Sequence, residues 1–473
     1  MASTLFASDQ RGLTFATMST IAVAGYNNLS VSAALPAIGE DLGNLELLPW
    51  IITIELIASA VAVLAIGPVI DSFGTRIVFR ASLVAFGVAS LACAFAPTLA
   101  TLIVARAFQG LTTGAIIANV MTAIGLGVPE ALRARAYAAN SSVWGIMGVG
   151  GPAVAALILT IADWSAIFLV NLPVALIAGI VGWNAFPEAE AEATTHPSDR
   201  RGLVIVVFFT LLSLGALSSL SWWSPIAFAV SLVFIGLYAV HEKMVEAPVV
   251  RVRHVTAPTI RLLHIAAFLT VTSAICASTF LPVYVKGARG ASTAEAAFTV
   301  VFLTVGWTSG AFISSRISEL RRGEFAMLIG AGMLAVSVTI TALAVWFTWP
   351  LWAIFAALTG VGMGVGGLSS ATLGVLQSKA IPAEMGRVNS AHQFMRTLGF
   401  TYGAALGGAV LFSVVKWRLG DAEVVRDLLG DDAVTVEAGT IDALARGFAW
   451  SAVVAVIFGY GAFMSVWRLN RAQ

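Results

Sequence analysis

Residues 47–96 read LLPWIITIELIASAVAVLAIGPVIDSFGTRIVFRASLVAFGVASLACAFA. Two apolar runs, 47–70 and 76–96, flank the polar turn Asp71-Ser72-Phe73-Gly74-Thr75-Arg76. A helix crossing a hydrocarbon layer of about 30 Å needs about 20 mostly apolar residues, and each run has that length. The pair therefore reads as two spanning helices joined by a hairpin turn, which Gly74 permits because it lacks a Cβ. Arg76 and Arg80 place the turn on the inner side, where Lys and Arg concentrate. One acid, Glu55, interrupts the first run.

The same window finds further spans at 12–38, 98–127, 134–161 and 164–186, then shorter ones at 203–221 and 224–240. Six more follow at 259–285, 294–318, 325–347, 350–378, 386–413 and 445–468, giving an expected fourteen. The 12–38 segment is too long for the apolar core of a signal peptide, and other spans follow at once. With the N-terminus inside, Arg133, Arg135, Arg200, Arg201, Lys243, Arg321, Arg322, Lys379 and Arg387 join the inner loops. The outer loops keep few cations, and Glu40, Asp41 and Glu46 crowd the first of them. An even span count returns the C-terminus to the same side. The expected location is the plasma membrane, multi-pass, with both termini cytoplasmic.

Composition agrees. Of 473 residues, 59% are hydrophobic and 11% charged, against about 45–50% and about 25% in soluble domains. Mean hydropathy is +0.92. A net charge of +1 provides no basic surface for nucleic acid. Cys93 and Cys276 are too few for a disulfide framework or a four-ligand zinc site, and in apolar runs they read as packing residues. No phosphate loop, HExxH or CxxC occurs, so no enzyme signature, cofactor or metal is expected. The energy source is then an ion gradient or the substrate's own gradient. The sequence does not fix the oligomeric state; a monomer is the expectation.

Two polar stretches punctuate the chain, Pro187 to Arg201 (PEAEAEATTHPSDRR) and Glu242 to Arg261. They divide it into six spans, two spans and six spans. The expected architecture is all-α integral membrane, with a six-helix bundle at 1–186, a linker and two inserted helices at 187–258, and a second six-helix bundle at 259–473. Asp421 to Gly430 reads as a short outer amphipathic helix capped by Asp421, with Val424, Val425, Leu428 and Leu429 on one face. The stretch Gly310 to Arg316 weakly echoes Gly67 to Arg76, each following the second span of its bundle. Duplicated halves are a common transporter design, with the substrate site near midplane between them.

At these residues the chain resembles the major facilitator superfamily. Gly67, Asp71, Gly74 and Arg76 match its loop signature, and Leu102, Arg106, Gln109, Gly110 and Gly114 its fourth-span signature. Gly145, Gly148, Gly151 and Pro152 resemble the fifth-span pattern of exporters. Trp164, Phe168, Asn171 and Pro173 are similar to the drug:proton antiporter branch with fourteen spans, as are Leu281, Pro282, Tyr284, Gly290, Ala294, Gly386, Arg396, Gly399 and Gly403. Departures stand beside these matches. Asn27 and Leu29 replace the branch's usual acid and threonine, Glu55 follows Trp50 where an aromatic is usual, Ala155-Ala156 replaces Gly-Gly, and Ser165 replaces Arg. The resemblance implies the superfamily fold, alternating access, and proton-coupled export of hydrophobic or amphipathic small molecules. It also implies that Gly67, Asp71, Gly74 and Arg76 form a conformational latch.

Read on their own chemistry, the buried polar residues fall in layers. Glu55 and Arg106 each lie about 12 Å into their spans from the outer end, and Asn27 and Asn28 about 16 Å, at about 1.5 Å per residue. A charge inside a span is expensive and marks a functional site or a paired structural charge. Glu55 with Arg106 is accordingly the expected proton-coupling pair; a permanent structural ion pair is the other reading. Asn27, Asn28, His392 and Arg396 are the substrate or cavity candidates, the last two sharing a face of one helix. Gly145, Gly148 and Gly151 recur every three residues, and with Pro152 they mark a gating helix by allowing close helix approach. A lipid or glycolipid exporter or flippase, an uptake system, and a non-transporting receptor or scaffold remain as alternatives.

Overall fold

The computed structural model describes residues 5–7, 10–43, 47–188, 199–219, 223–246, 248, 257–420 and 438–471. Every regular element among them is helical. The amphipathic helix expected at Asp421 to Gly430 lies outside the described residues.

In chain order the helices are α1 (Arg11–Leu42), α2 (Leu48–Ala94), α3 (Leu99–Gly127), α4 (Glu130–Leu159), α5 (Ser165–Gly182), α6 (Arg200–Ser219) and α7 (Ser224–His241). There follow α8 (Pro258–Ser278), α9 (Thr293–Leu320), α10 (Gly323–Trp346), α11 (Leu351–Ser378), α12 (Met385–Leu419) and α13 (Ala438–Arg471). Helix α2 covers both runs of the opening stretch. It breaks at Gly74, whose φ of 77° and ψ of 160° leave the helical region. A side chain is strained at that φ, so glycine is what lets the two arms diverge. Other boundaries follow capping chemistry. Thr98 and Thr101 exchange side-chain and backbone bonds at the start of α3, and Ser292 and Glu295 do so at the start of α9.

Eleven of the described helices are long and apolar enough to cross a membrane, against the fourteen spans expected. The expected spans 47–70 and 76–96 form one continuous element, Trp50–Ala94, in that count. Helices α1 and α6 are not among the eleven.

By contacts the chain divides into two compact units: Met1–Phe208 with Phe234–Thr256 and Leu373–Phe394, and Phe209–Val233 with Ala257–Thr372 and Met395–Gln473. In the first, Tyr26, Val31, Ile38, Ile51, Leu102, Ile167 and Phe168 form an apolar core around α1, α2, α3 and α5. In the second, Leu281, Tyr284, Ile354, Leu358, Leu411 and Phe448 do the same, with Tyr284 stacked on Phe448 at 5.3 Å.

Small residues set the helix spacing. A Cβ added to Gly110 on α3 would lie 2.3 Å from the Glu55 carbonyl oxygen, and one added to Gly114 2.2 Å from that of Ser59. Only glycine lets α3 touch the α2 backbone there. That contact brings Glu55 beside Arg106.

Candidate functional site

The first unit holds a buried polar cluster. Glu55 and Arg106 are each 1% exposed. The Arg106 guanidinium donates from Nε to the Ile51 carbonyl at 3.1 Å, and from Nη1 to Asn27 Oδ1 at 3.2 Å and Gln109 Oε1 at 2.5 Å. Its Nη2 lies 3.8 Å from Glu55 Oε2, an ion-pair distance beyond hydrogen-bond reach. The Phe168 ring, 5.9 Å from the guanidinium carbon, closes another side. Asn28, with its amide nitrogen turned toward Glu55, donates to both carboxyl oxygens at 3.0 and 3.2 Å. Thr113 Oγ1 donates to the Gln109 carbonyl at 2.9 Å.

The sequence-derived set Glu55, Arg106, Asn27 and Asn28 is thus brought together. Three members of the cluster come from elsewhere. Gln109 Nε2 donates to Ser90 Oγ at 2.8 Å, and Asn171 Nδ2 reaches Asn27 Oδ1 at 3.5 Å. Gln109 and Asn171 stood out in the sequence only as signature positions, and Ser90 as nothing. All three are neutral residues in apolar runs, where composition gives no signal of a shared layer. His392 and Arg396 lie on α12. His392 is fully buried and Arg396 half-buried. The arrangement can do one clear thing chemically. It presents a single carboxyl to neutral donors on one side and a cation on the other, so the balance between them depends on whether a proton is present.

A second polar contact lies beside the Gly74 break in α2. Asp71 accepts from the backbone N–H of Gly386 at 2.7 Å and of Arg387 at 3.3 Å, and its Oδ2 pairs with Arg387 Nη1 at 3.4 Å. These amides open α12, so the carboxylate sits where a helix N-terminus favours an anion. A Cβ on Gly386 would lie 2.3 Å from Asp71 Oδ1. Arg76 is not part of this contact. Its Nε donates to the Phe186 carbonyl at 2.8 Å and Nη2 to that of Asn184 at 3.0 Å, with Glu188 on Nη1, so it fastens the turn that follows α5. Tyr137 donates to Gln377 Oε1, while Gln377 Nε2 donates to the Met121 carbonyl at 3.1 Å and Asn389 Oδ1 at 2.8 Å. Gly145, Gly148, Gly151 and Pro152 all lie within α4, which packs along α1, and Met147 approaches Gly25 there.

Asp71→Asn replaces an acceptor with a donor facing the Arg387 amide and guanidinium. Loss of a charge-assisted bond costs about 1.5–3 kcal/mol, so the thermal unfolding midpoint of the purified variant falls. An unchanged midpoint would show that the Asp71 contact adds nothing to stability.

Residues 15–404 match the family described as Major Facilitator Superfamily. This chain belongs to the Major Facilitator Superfamily. Within the superfamily it is similar to Multidrug resistance protein 3 of Bacillus subtilis (strain 168), 26% identical over 85% of this chain and 80% of that one. It is also 27% identical to the multidrug efflux pump SdrM of Staphylococcus aureus (strain N315), over 80% and 84% of the two chains. In fold it resembles the human organic anion transporter MFSD10 (TM-score 0.65, 13% identity, 96% and 99% covered). A bacterial homologue of the iron transporter ferroportin in an outward-facing state is similar too, with TM-score 0.67, 13% identity, and 98% and 99% covered. These structural likenesses concern the fold alone.

Proposed function

We propose that the chain is a proton-coupled exporter of hydrophobic or amphipathic small molecules, working by alternating access, and not an enzyme. Its sequence relatives named for multidrug efflux support the substrate class. The observation that carries the coupling is the Glu55–Arg106 pair, fully buried in a spanning bundle. An ionised carboxyl there costs about 2.5–3.5 kcal/mol on insertion scales. A proton that neutralises it changes which helix arrangement is favoured, and outward substrate movement is exchanged for inward proton movement. In this reading Asp71, with Gly67 and Gly74, latches one state through the start of α12, and Arg76 braces the latch from the α5 side. The glycine-rich face of α4 forms the gating helix. Asn27, Asn28, His392 and Arg396 are the polar groups available to a substrate.

The same proposal has fourteen spans: the eleven above, with Trp50–Ala94 counted as two arms about Gly74, plus α1 and α6. It divides them into bundles at 1–186 and 259–473 around the inserted region 187–258. It places the protein in the cell membrane with both termini cytoplasmic, acting as a monomer.

The test uses inside-out vesicles and a fluorescent amphipathic cation. An imposed proton gradient, acid inside, drives dye uptake, and a protonophore abolishes it. Uptake that survives the protonophore removes proton coupling; dye transport absent under every gradient removes the substrate class and returns the lipid and scaffold alternatives.

A further inference from the structure

The shortest bond of the Arg106 guanidinium goes to a neutral amide. Nη1 to Gln109 Oε1 is 2.5 Å, whereas Nη2 to the Glu55 carboxyl is 3.8 Å. Inside a dry bundle an ionised carboxylate competes strongly for guanidinium donors and holds them at about 2.7–2.9 Å. The geometry here is that of an arginine kept off its acid.

What keeps it off is visible. Gln109 is fully buried, and its amide is oriented by donating Nε2 to Ser90 Oγ at 2.8 Å, which turns Oε1 toward Arg106. The Cys93 thiol lies 3.5 Å from the same oxygen. Ser90 and Cys93 stand on the second arm of α2 and Glu55 on the first, with Gln109 on α3 between them. On the far side of the pair, Asn27 takes a second Nη1 bond, and Asn28 donates to both Glu55 oxygens. From α5 come the Phe168 ring, facing the guanidinium, and Asn171, on Asn27 Oδ1. Besides Glu55 and Arg106, the titratable group in this field is Cys93.

We propose that Gln109 is a positioning residue that parks Arg106 away from Glu55 while Glu55 carries a proton. When the proton leaves, Arg106 closes on the carboxylate by about 1 Å, the difference between the present separation and a charge-assisted bond, and the Gln109 acceptor is vacated. The exchange keeps the guanidinium hydrogen-bonded in both states, so neither buries an orphaned charge. It also explains why a glutamine, rather than a second acid, accepts from Arg106. A fixed anion would hold the arginine permanently and leave Glu55 without its cation. This inference rests on the proton role of Glu55.

The experiment reads Glu55 itself. A hydrophobic carbodiimide adds across its C=N bond to a protonated carboxyl in an apolar site, and mass spectrometry quantifies the modified peptide from intact membranes. Gln109→Met keeps the side-chain shape and removes the acceptor. Arg106 then settles on Glu55, and labelling falls at least about tenfold, the scale of one lost hydrogen bond to a charged group. The double variant Arg106→Met with Gln109→Met has no cation to move and labels at least as strongly as the unaltered protein. A merely structural glutamine would not show that reversal. Equal labelling of Gln109→Met and the unaltered protein, or a double variant that stays unlabelled, overturns the proposal. If Gln109→Met does not reach the membrane, Gln109→Asn, whose acceptor is one methylene short, gives the same directions. Failure of the proton role has a different signature: Glu55 never labels in the unaltered protein, and Glu55→Gln exports normally.

Discussion

Vesicles carrying Glu55→Gln lose proton-driven export to background while still exchanging labelled for unlabelled substrate across the membrane. Gln keeps the shape and an acceptor for Asn28, so the bundle packs as before. It cannot change charge. The energy that separates the ionised from the neutral carboxyl in a span, about 2.5–3.5 kcal/mol, is then no longer available to bias one helix arrangement over the other. At about 1.4 kcal/mol per tenfold that bias is worth roughly a hundredfold, which is the loss expected in gradient-driven rate. Exchange needs only the substrate to cross and return, so it survives. A variant exporting at the normal rate under the gradient would leave Glu55–Arg106 as a structural pair and remove the carboxyl from the mechanism.

Gly110→Ala has the largest expected effect on folding. Its new methyl group meets the Glu55 carbonyl oxygen at 2.3 Å and the Glu55 Cα at 2.9 Å, both backbone atoms of a buried helix. Neither can rotate aside, so α3 must move away from α2. Overpacking of this kind costs on the order of 3 kcal/mol, and the displacement carries Arg106 away from Glu55 and Asn27. The matched control is Gly150→Ala on α4, where no atom lies within 4 Å of the added Cβ. There the substitution gains about 0.5–1 kcal/mol of helix preference. Thermal unfolding of the purified proteins, read as the fraction remaining monodisperse, lowers the midpoint for the first variant and leaves the second unchanged or higher. Equal midpoints would show that the helices have slack at this contact, and the glycine's role in seating the pair would fall.

The sequence exposes charges in apolar runs because each carries an insertion cost that few positions tolerate. That is why Glu55 and Arg106 were legible, and why helix rise placed them in one layer with Asn27 and Asn28. The break at Gly74 was legible for a similar reason, since a polar turn between two apolar runs has few other readings. Its consequence was less so: the two arms form one long helix that Gly74 interrupts. Neutral amides leave no such trace. Gln109, Asn171 and Gln377 acquire their roles from partners 3 to 256 residues away in the chain. Arg387 is a related case. In sequence it is an inner-loop cation that helps set topology, and only the meeting of α2 with the start of α12 shows its backbone and side chain on Asp71. Arg76, matched as part of one signature with Asp71, is engaged with residues 184–188 because its side chain leaves the Gly74 turn toward the end of α5.

The most direct measurement is proton release on substrate binding by the purified protein in weakly buffered detergent solution. If an oily pocket stores one exchangeable proton on Glu55, adding an exported amphipathic cation acidifies the solution near neutral pH, and the Glu55→Gln protein binds the same compound without any pH change. The same acidification from both proteins would contradict the account.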